Sequence, residues 1–245
     1  MERRDLHIHT VYSDGENTPE EMIKAAIAMG LDTVGFSDHS HTGFDERYCI
    51  PREKLAAYRA EIATLKEKYR NTITVLCGIE QDYYSDTPAA GYDYVIGSVH
   101  YIKAGDDFIP VDESAEILRC AAEKHFGGDL YALAEAYFRT VSDVVRKTGA
   151  DLIGHFDLIS KFTEQTPLLD VSHPRYRAAW QAAADTLLKT GVPFEINTGA
   201  ISRGYRTCPY PSEEMRDYIR ARGGTFLLSS DAHRSDTLCF RFSDF

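Results

Sequence analysis

An α/β barrel with seven strands is the fold this sequence predicts. Seven short apolar runs alternate with helical segments along the chain, and that alternation implies a mostly parallel sheet. The length, 245 residues, suits a single barrel of this kind. No GxGxxG follows the first run, so an open dinucleotide-binding sheet has no support. Residues 1–245 are read as one domain.

The elements follow in order. Residues 5–10 read as a first strand. Thr18-Pro19-Glu20-Glu21 starts a helix, with Thr as the cap, Pro at the first position and Glu three after the cap. Gly30 closes that helix. Residues 33–37 form a second strand, 51–69 a long amphipathic helix, 72–79 a third strand and 92–99 a fourth. Helices are expected over 114–125 and 130–147, then a fifth strand at 152–155 and a helix at 175–189. Residues 193–197 are a sixth strand, 212–222 a helix and 225–230 a seventh strand.

Charge narrows the function. Lys and Arg number 27 against 38 Asp and Glu, a net −11, which disfavours a nucleic-acid or membrane-surface partner. An apolar fraction of 43% is ordinary for a globular core. Five cysteines without a CxxC pair read as reduced thiols of a cytoplasmic protein. No apolar run reaches membrane-spanning length, and Met1-Glu2-Arg3-Arg4-Asp5 opens no leader stretch.

Ligand-type side chains gather at the carboxyl ends of the strands. His7 and His9 lie two apart, on one face of the first strand. Asp14 lies in the loop beyond, His39 follows strand two and Glu80 ends strand three. His100 ends strand four, His155 strand five, and Asp231 with His233 ends strand seven. Barrel active sites lie on that face. So many nitrogen and carboxylate groups exceed one ion's coordination and suit three divalent ions sharing a bridging carboxylate. The mixture favours Zn²⁺, Mn²⁺ or Fe²⁺ over Mg²⁺ or Ca²⁺. His41, His125 and His173 fall outside the set. Asp38 and Asp157, next to candidate ligands, either cap backbone or orient an imidazole.

These pieces resemble the polymerase-and-histidinol-phosphatase (PHP) family. The matching segments are Asp5-Leu6-His7-Ile8-His9-Thr10, Ser13-Asp14-Gly15, Ser37-Asp38-His39-Ser40, Gly78-Ile79-Glu80, Ser98-Val99-His100, Gly154-His155 and Ser230-Asp231-Ala232-His233. The resemblance implies a distorted (β/α)7 barrel of the PHP type with a trinuclear site. It places His7, His9, Glu80 and Asp231 on one ion, lets Glu80 bridge to a second held by His100 and His155, and gives Asp14, His39 and His233 the third. Three further stretches resemble the histidinol-phosphatase branch: residues 39–45, residues 154–159, and Asn197-Thr198-Gly199-Ala200 leading to Pro209-Tyr210-Pro211. That implies hydrolysis of L-histidinol phosphate, a small phosphate monoester of histidine biosynthesis. The resemblance implies another helix past the final motif, so either that helix is absent here or the end of this chain packs differently.

Arg203 and Arg206 follow strand six on the same face, and a guanidinium fork matches phosphate geometry. Lys161, after strand five, is a further phosphate-contact candidate. The leaving alkoxide needs a proton or a metal. Asp231 or a metal-bound water are the candidate acids, although a carboxylate on a metal is a poor one.

Overall fold

The computed structural model describes residues 3–245; Met1 and Glu2, part of the stretch read above for a leader, lie outside the described residues. In chain order the first four strands are β1 (Arg4–Asp5), β2 (Thr33–Phe36), β3 (Thr74–Asp82) and β4 (Tyr94–Ser98). An antiparallel hairpin follows, β5 (Tyr101–Ala104) and β6 (Asp107–Pro110). Then come β7 (Leu152–Ile153), β8 (Phe194–Asn197) and β9 (Phe226–Ser229). Outside the hairpin the strands form one 7-stranded parallel sheet in the order β1-β2-β3-β4-β7-β8-β9. Residues just past β1 and β9 close it into a barrel. Ile8 pairs with Ala232, the His9 N–H donates to the Ala232 carbonyl at 2.9 Å, and the Ala232 N–H donates to the His7 carbonyl at 3.0 Å.

Helices α1 (Pro19–Ala28) and α2 (Leu55–Tyr69) cover the β2–β3 side, where Met22, Ile23, Tyr58 and Ile62 pack on Val34, Phe36 and Val75. The opposite side carries α3 (Ala115–Phe126), α4 (Leu130–Ser142), α5 (Val144–Thr148), α6 (Pro174–Leu188), the short α7 (Gly199–Ser202) and α8 (Glu213–Ala221). Leu118, Tyr137, Phe138, Trp180, Leu187 and Ile219 form the larger core there. The capping box of α1 is present: the Thr18 N–H donates to Glu21 Oε2 at 2.8 Å, and the Glu21 N–H donates to Thr18 Oγ1 at 3.3 Å. Gly30, at φ 71°, ends the helix as expected. None of the described helices is long and apolar enough to cross a membrane.

Strand alternation sorts the barrel interior into layers. Leu6, Leu76, Tyr94, Ile96, Leu152 and Leu227 meet in an apolar plug. Tyr94 lies so close over Gly35 and Gly78 that a Cβ would meet its hydroxyl at 2.5 Å on the first and its ring at 2.3 Å on the second. One step further along the same inward columns come Glu80 in β3, Ser98 in β4, Asn197 in β8 and Ser229 in β9, all buried. The plug closes the bottom of the barrel, and the polar layer above it floors the site.

Several elements differ from expectation. β1 covers only Arg4–Asp5 of the strand expected over 5–10, because residues 7–9 turn across the seam to bond both Ala232 and Ser37. The hairpin β5–β6 was not expected. The helix expected over 130–147 breaks at Asp143, whose carboxylate accepts from Tyr83 Oη at 3.0 Å and is paired with Arg146. At the chain end, residues 235–237 and 242–244 form 3-10 turns, and Leu238 is buried.

Candidate metal centre

Every candidate ligand read from the sequence reaches one end of the barrel, around Glu80. Glu80 Oε2 lies 3.2 Å from His7 Nε2, 3.5 Å from His9 Nε2 and 2.9 Å from His39 Nδ1. Its other oxygen lies 2.8 Å from His155 Nε2 and 3.4 Å from His100 Nε2. Asp231 Oδ1 sits 3.2 Å from His9 Nε2 and 3.6 Å from His233 Nδ1. Asp14 Oδ2 sits 3.1 Å from His233 Nε2 and 3.7 Å from His39 Nε2. Three groups could hold an ion, with ligand atoms all within 4.8 Å of one another: His7, His9 and Glu80; His39, Glu80 and His100; His9, Asp14, His39 and His233. These groups share Glu80, His9 and His39, a more interlocked arrangement than the sets implied by resemblance, in which Glu80 alone is shared.

The donor set fits cations. His7 Nε2, both ring nitrogens of His9, and Glu80 Oε2 are buried without a hydrogen-bond partner. A buried polar atom left so costs about 1–3 kcal/mol, yet here several converge. Divalent ions would satisfy them together.

Electrostatics point the same way. Burial lowers the His39 pKa, but the charges of Glu80 and Asp14 outweigh it and raise the value to about 10. His7 is raised in the same manner, against burial, by Glu195, Glu80 and Asp231. His100 is raised against burial by Glu80 and by its bond to Asp82. His9 goes the other way, to about 3, through burial and then repulsion from His233 and His39. Without metal, the carboxylates recruit protons onto neighbouring imidazoles. Burial raises the Asp231 pKa, but Arg203 and His7 hold it well below the usual carboxylate range. Held ionised, Asp231 is set to accept hydrogen bonds from groups entering the site. Its backbone sits at φ 51°, a strained conformation for a non-glycine residue of the kind that clusters at functional sites.

A cavity of about 190 Å³ opens onto this cluster, bordered also by Lys161, Arg203, Asp112 and Tyr205. Arg203 is not a freely solvated loop residue. Its Nη2 donates to Asp231 Oδ2 at 2.8 Å and its Nη1 to the Asp231 carbonyl at 3.0 Å. Lys161 Nζ donates to the Asp112 carbonyl at 2.8 Å and lies 4.6 Å from the Tyr205 ring centroid. Arg206 is not brought to the cavity: it is buried against Tyr210, donating to Asp157 at 3.2 Å and Ser160 at 2.9 Å. Its expected substrate contact is corrected, because the loop turns its guanidinium inward to neutralise Asp157.

Asp38 accepts from the Thr10 N–H at 2.7 Å and from Ser13 Oγ at 2.6 Å, so it caps backbone rather than orienting an imidazole. His41 is buried beside Cys49, outside the ion groups. His173 caps α6, its Nδ1 accepting from the Arg175 N–H at 3.2 Å, and His125 pairs with Asp107 at 2.8 Å. Sequence reasoning missed Asp82, Asp112 and Glu195. Asp82 Oδ2 lies 3.2 Å from His100 Nδ1. The inward alternation Glu80–Asp82 and Glu195–Asn197 was the available signal for two of these.

The chain belongs to the PHP domain family, which matches residues 5–199. Among its relatives is a "Probable histidinol-phosphatase" of Deinococcus radiodurans, 30% identical over 98% of this chain and 90% of that protein. Two solved structures share the fold. One, from Listeria monocytogenes, is described as a candidate histidinol phosphatase; it has a TM-score of 0.83 at 20% identity, covering 99% of this chain and 100% of that one. The other is the histidinol phosphate phosphatase of Lactococcus lactis subsp. lactis, solved with zinc, L-histidinol and phosphate; its TM-score is 0.66 at 21% identity, covering 96% of this chain and 87% of that one.

Proposed function

We propose that this chain is a metal-dependent phosphomonoesterase that hydrolyses L-histidinol phosphate to L-histidinol and phosphate. The observation that carries this reading is Glu80 among five imidazoles, with unpartnered buried nitrogens facing it and Arg203 beside it. Residues 1–245 act as one domain. In this reading His7, His9, Glu80 and Asp231 hold one divalent ion, and Glu80 shares a second with His100 and His155. Asp14, His39 and His233 hold a third. Zn²⁺, Mn²⁺ or Fe²⁺ suits such a mixed nitrogen and oxygen set. Bound there, these ions would neutralise phosphoryl charge and lower the pKa of water.

The side chains divide the remaining work. Arg203 and Lys161 carry N–H groups on the cavity wall and donate to phosphoryl oxygens, stabilising the charge of the in-line transition state. Asp231 accepts a hydrogen bond from the attacking water. The alcohol half occupies a second cavity of about 330 Å³, which shares Asp14, His39, His100 and Asp112 with the first. Asp45 and Glu113 there offer acceptors for an ammonium or imidazolium, and Tyr48 and Tyr101 offer rings. A larger cavity, about 530 Å³, lies behind the hairpin and touches no histidine of the cluster. We place the protein in the cytoplasm because its five cysteines are unpaired thiols.

Phosphate release from a panel of monoesters, with metal analysis of the same protein, tests this. The expected result is about two to three transition-metal ions per chain. L-histidinol phosphate should be preferred about a hundredfold over nucleotides, sugar phosphates and aryl phosphates, a gap near 2.7 kcal/mol. Comparable efficiency on nucleotides would make the chain a different phosphoesterase. Folded protein without transition metal would end the metal reading.

A further inference from the structure

Glu195, in β8, does not line the reaction cavity and is 0% exposed. Four donors nevertheless converge on it. Its Oε1 accepts from His7 Nδ1 at 2.7 Å, from Asn197 Nδ2 at 2.6 Å and from the Ser229 hydroxyl. Its Oε2 accepts from the backbone N–H of His155 at 3.0 Å. Asn197 and Ser229 donate to the same oxygen, which leaves Nδ1 of His7 as the donor in this bond. Nε2 of His7 is thereby aimed at the Glu80 side of the site, where it has no hydrogen-bond partner. Asn197 extends the network, standing 3.3 Å from Asp231 Oδ2. One buried carboxylate thus reaches three candidate ligands: His7 by side chain, His155 by backbone and Asp231 through Asn197.

We propose that Glu195 is a positioning residue for metal retention. It fixes the rotation and tautomer of His7 and ties down the backbone of His155, so that both imidazoles are already oriented when an ion arrives. The proposal rests on the metal reading of the site given above. Asp82 makes a similar but looser bond to His100, at 3.2 Å. Glu195 differs in joining separate strands, β7's end and β1's end, through one group. A glutamine at 195 is nearly the same size, but it has a single acceptor oxygen. Its amide group would then face either the three donors at Oε1 or the His155 N–H, donor against donor. The His7 ring would lose its acceptor or the His155 backbone would shift.

The test compares full-length wild type, Glu195→Gln, Glu195→Asp and Ser229→Ala. Each is loaded with Mn²⁺ or Zn²⁺, desalted, assayed for bound metal and competed with a chelator, with circular dichroism to establish folding. Removing the orienting partner of a ligating histidine typically weakens metal binding about ten- to a hundredfold. Glu195→Gln should show a loss of that size for part of its metal, and Ser229→Ala, which removes one donor and leaves the carboxylate, should stay near wild type. Glu195→Asp keeps the charge but draws it back from His7, and should fall between. Folded Glu195→Gln with wild-type retention overturns the proposal, as does an equal loss in Ser229→Ala. If Glu195→Gln does not fold, Glu195→Asp decides: weakened retention supports the positioning role and normal retention overturns it. Wild type that binds no metal overturns the site reading itself and the proposal with it, an outcome visible before any variant is compared.

Discussion

Arg203 touches both the carboxylate and the backbone carbonyl of Asp231, and its Nη1 lies 2.9 Å from His233 Nδ1. That geometry changes what its loss should do. A solvated loop arginine would leave the fold untouched, whereas this one neutralises a buried carboxylate in a strained conformation. A charge-assisted hydrogen bond contributes about 1.5–3 kcal/mol, and the abandoned partner pays its desolvation as well. Arg203→Ala should therefore lower kcat/KM about a hundredfold and also reduce thermal stability, measured on the same preparation. Arg203→Lys should recover little, because an ammonium cannot span both oxygens of Asp231. Unchanged melting in Arg203→Ala with full activity loss would mean that the Asp231 contact is incidental. The ligand candidates were legible because histidines at strand ends are rare enough to stand out, and because HxH and DxH place two groups on one face. Asp112 was not, and Glu195 was signalled only by its two-residue spacing from Asn197. A single acid in or after a strand signals nothing until its inward or outward register is known. Arg206 misled for the same reason: its loop fixes its direction, and sequence spacing does not.

At the scale of elements, the hairpin β5–β6 stands between the cavity of about 330 Å³ and the larger one of about 530 Å³ behind it, with Tyr101 and Pro110 lining both. Tyr101 in β5 ties the hairpin to the loop after β2, its hydroxyl donating to Asp45 at 2.8 Å, and its ring meets Phe44 edge-on at 4.9 Å. The metal-type residues lie on other elements. Tyr101→Ala should therefore lower kcat/KM for L-histidinol phosphate about tenfold, near 1.4 kcal/mol, chiefly through KM. Bound metal and turnover of an aryl phosphate should hardly change. Equal losses on both substrates would show that the hairpin supports the chemistry rather than the alcohol half. The hairpin escaped sequence reading because its strands are short and mixed in polarity, and its turn sits on Gly105 at φ 63° between Lys103 and Asp107 rather than on an Asn-Gly pair. The parallel strands β2, β4 and β7 were legible as short, mainly apolar runs buried on both faces. β1 was overextended because the run 5–10 alternates apolar Leu6 and Ile8 with His7 and His9 like a strand, while pairing across a barrel seam depends on where the last strand arrives.

Across the whole molecule, the site concentrates negative charge in a chain that is already acidic, at net −11. Asp14, Glu80, Asp82, Asp112, Glu195 and Asp231 surround the cavity or floor it, and Arg203 and Lys161 are the basic side chains bordering it. Metal-free protein compensates by holding protons on imidazoles, with His39 raised to about 10 and His7 and His100 raised as well. The sign of the consequence follows from linkage. A histidine at about 6.5 in the unfolded chain and at about 10 in the fold binds more protons folded than unfolded between those values. Its stabilising effect is complete below pH 6.5 and is lost as pH rises toward 10. Metal-free protein should therefore melt at a lower temperature at pH 9 than at pH 7, by on the order of 5 °C for a domain of this size. Metal-loaded protein should not show this decline, because the ions displace those protons and supply positive charge that does not titrate. The same exchange requires that metal binding release protons. Titration calorimetry in two buffers of different ionisation enthalpy would count them, with more than one per chain expected near pH 7. No release, together with pH-independent melting of the metal-free protein, would mean that the imidazoles are neutral before metal arrives and that the carboxylates are balanced in some other way.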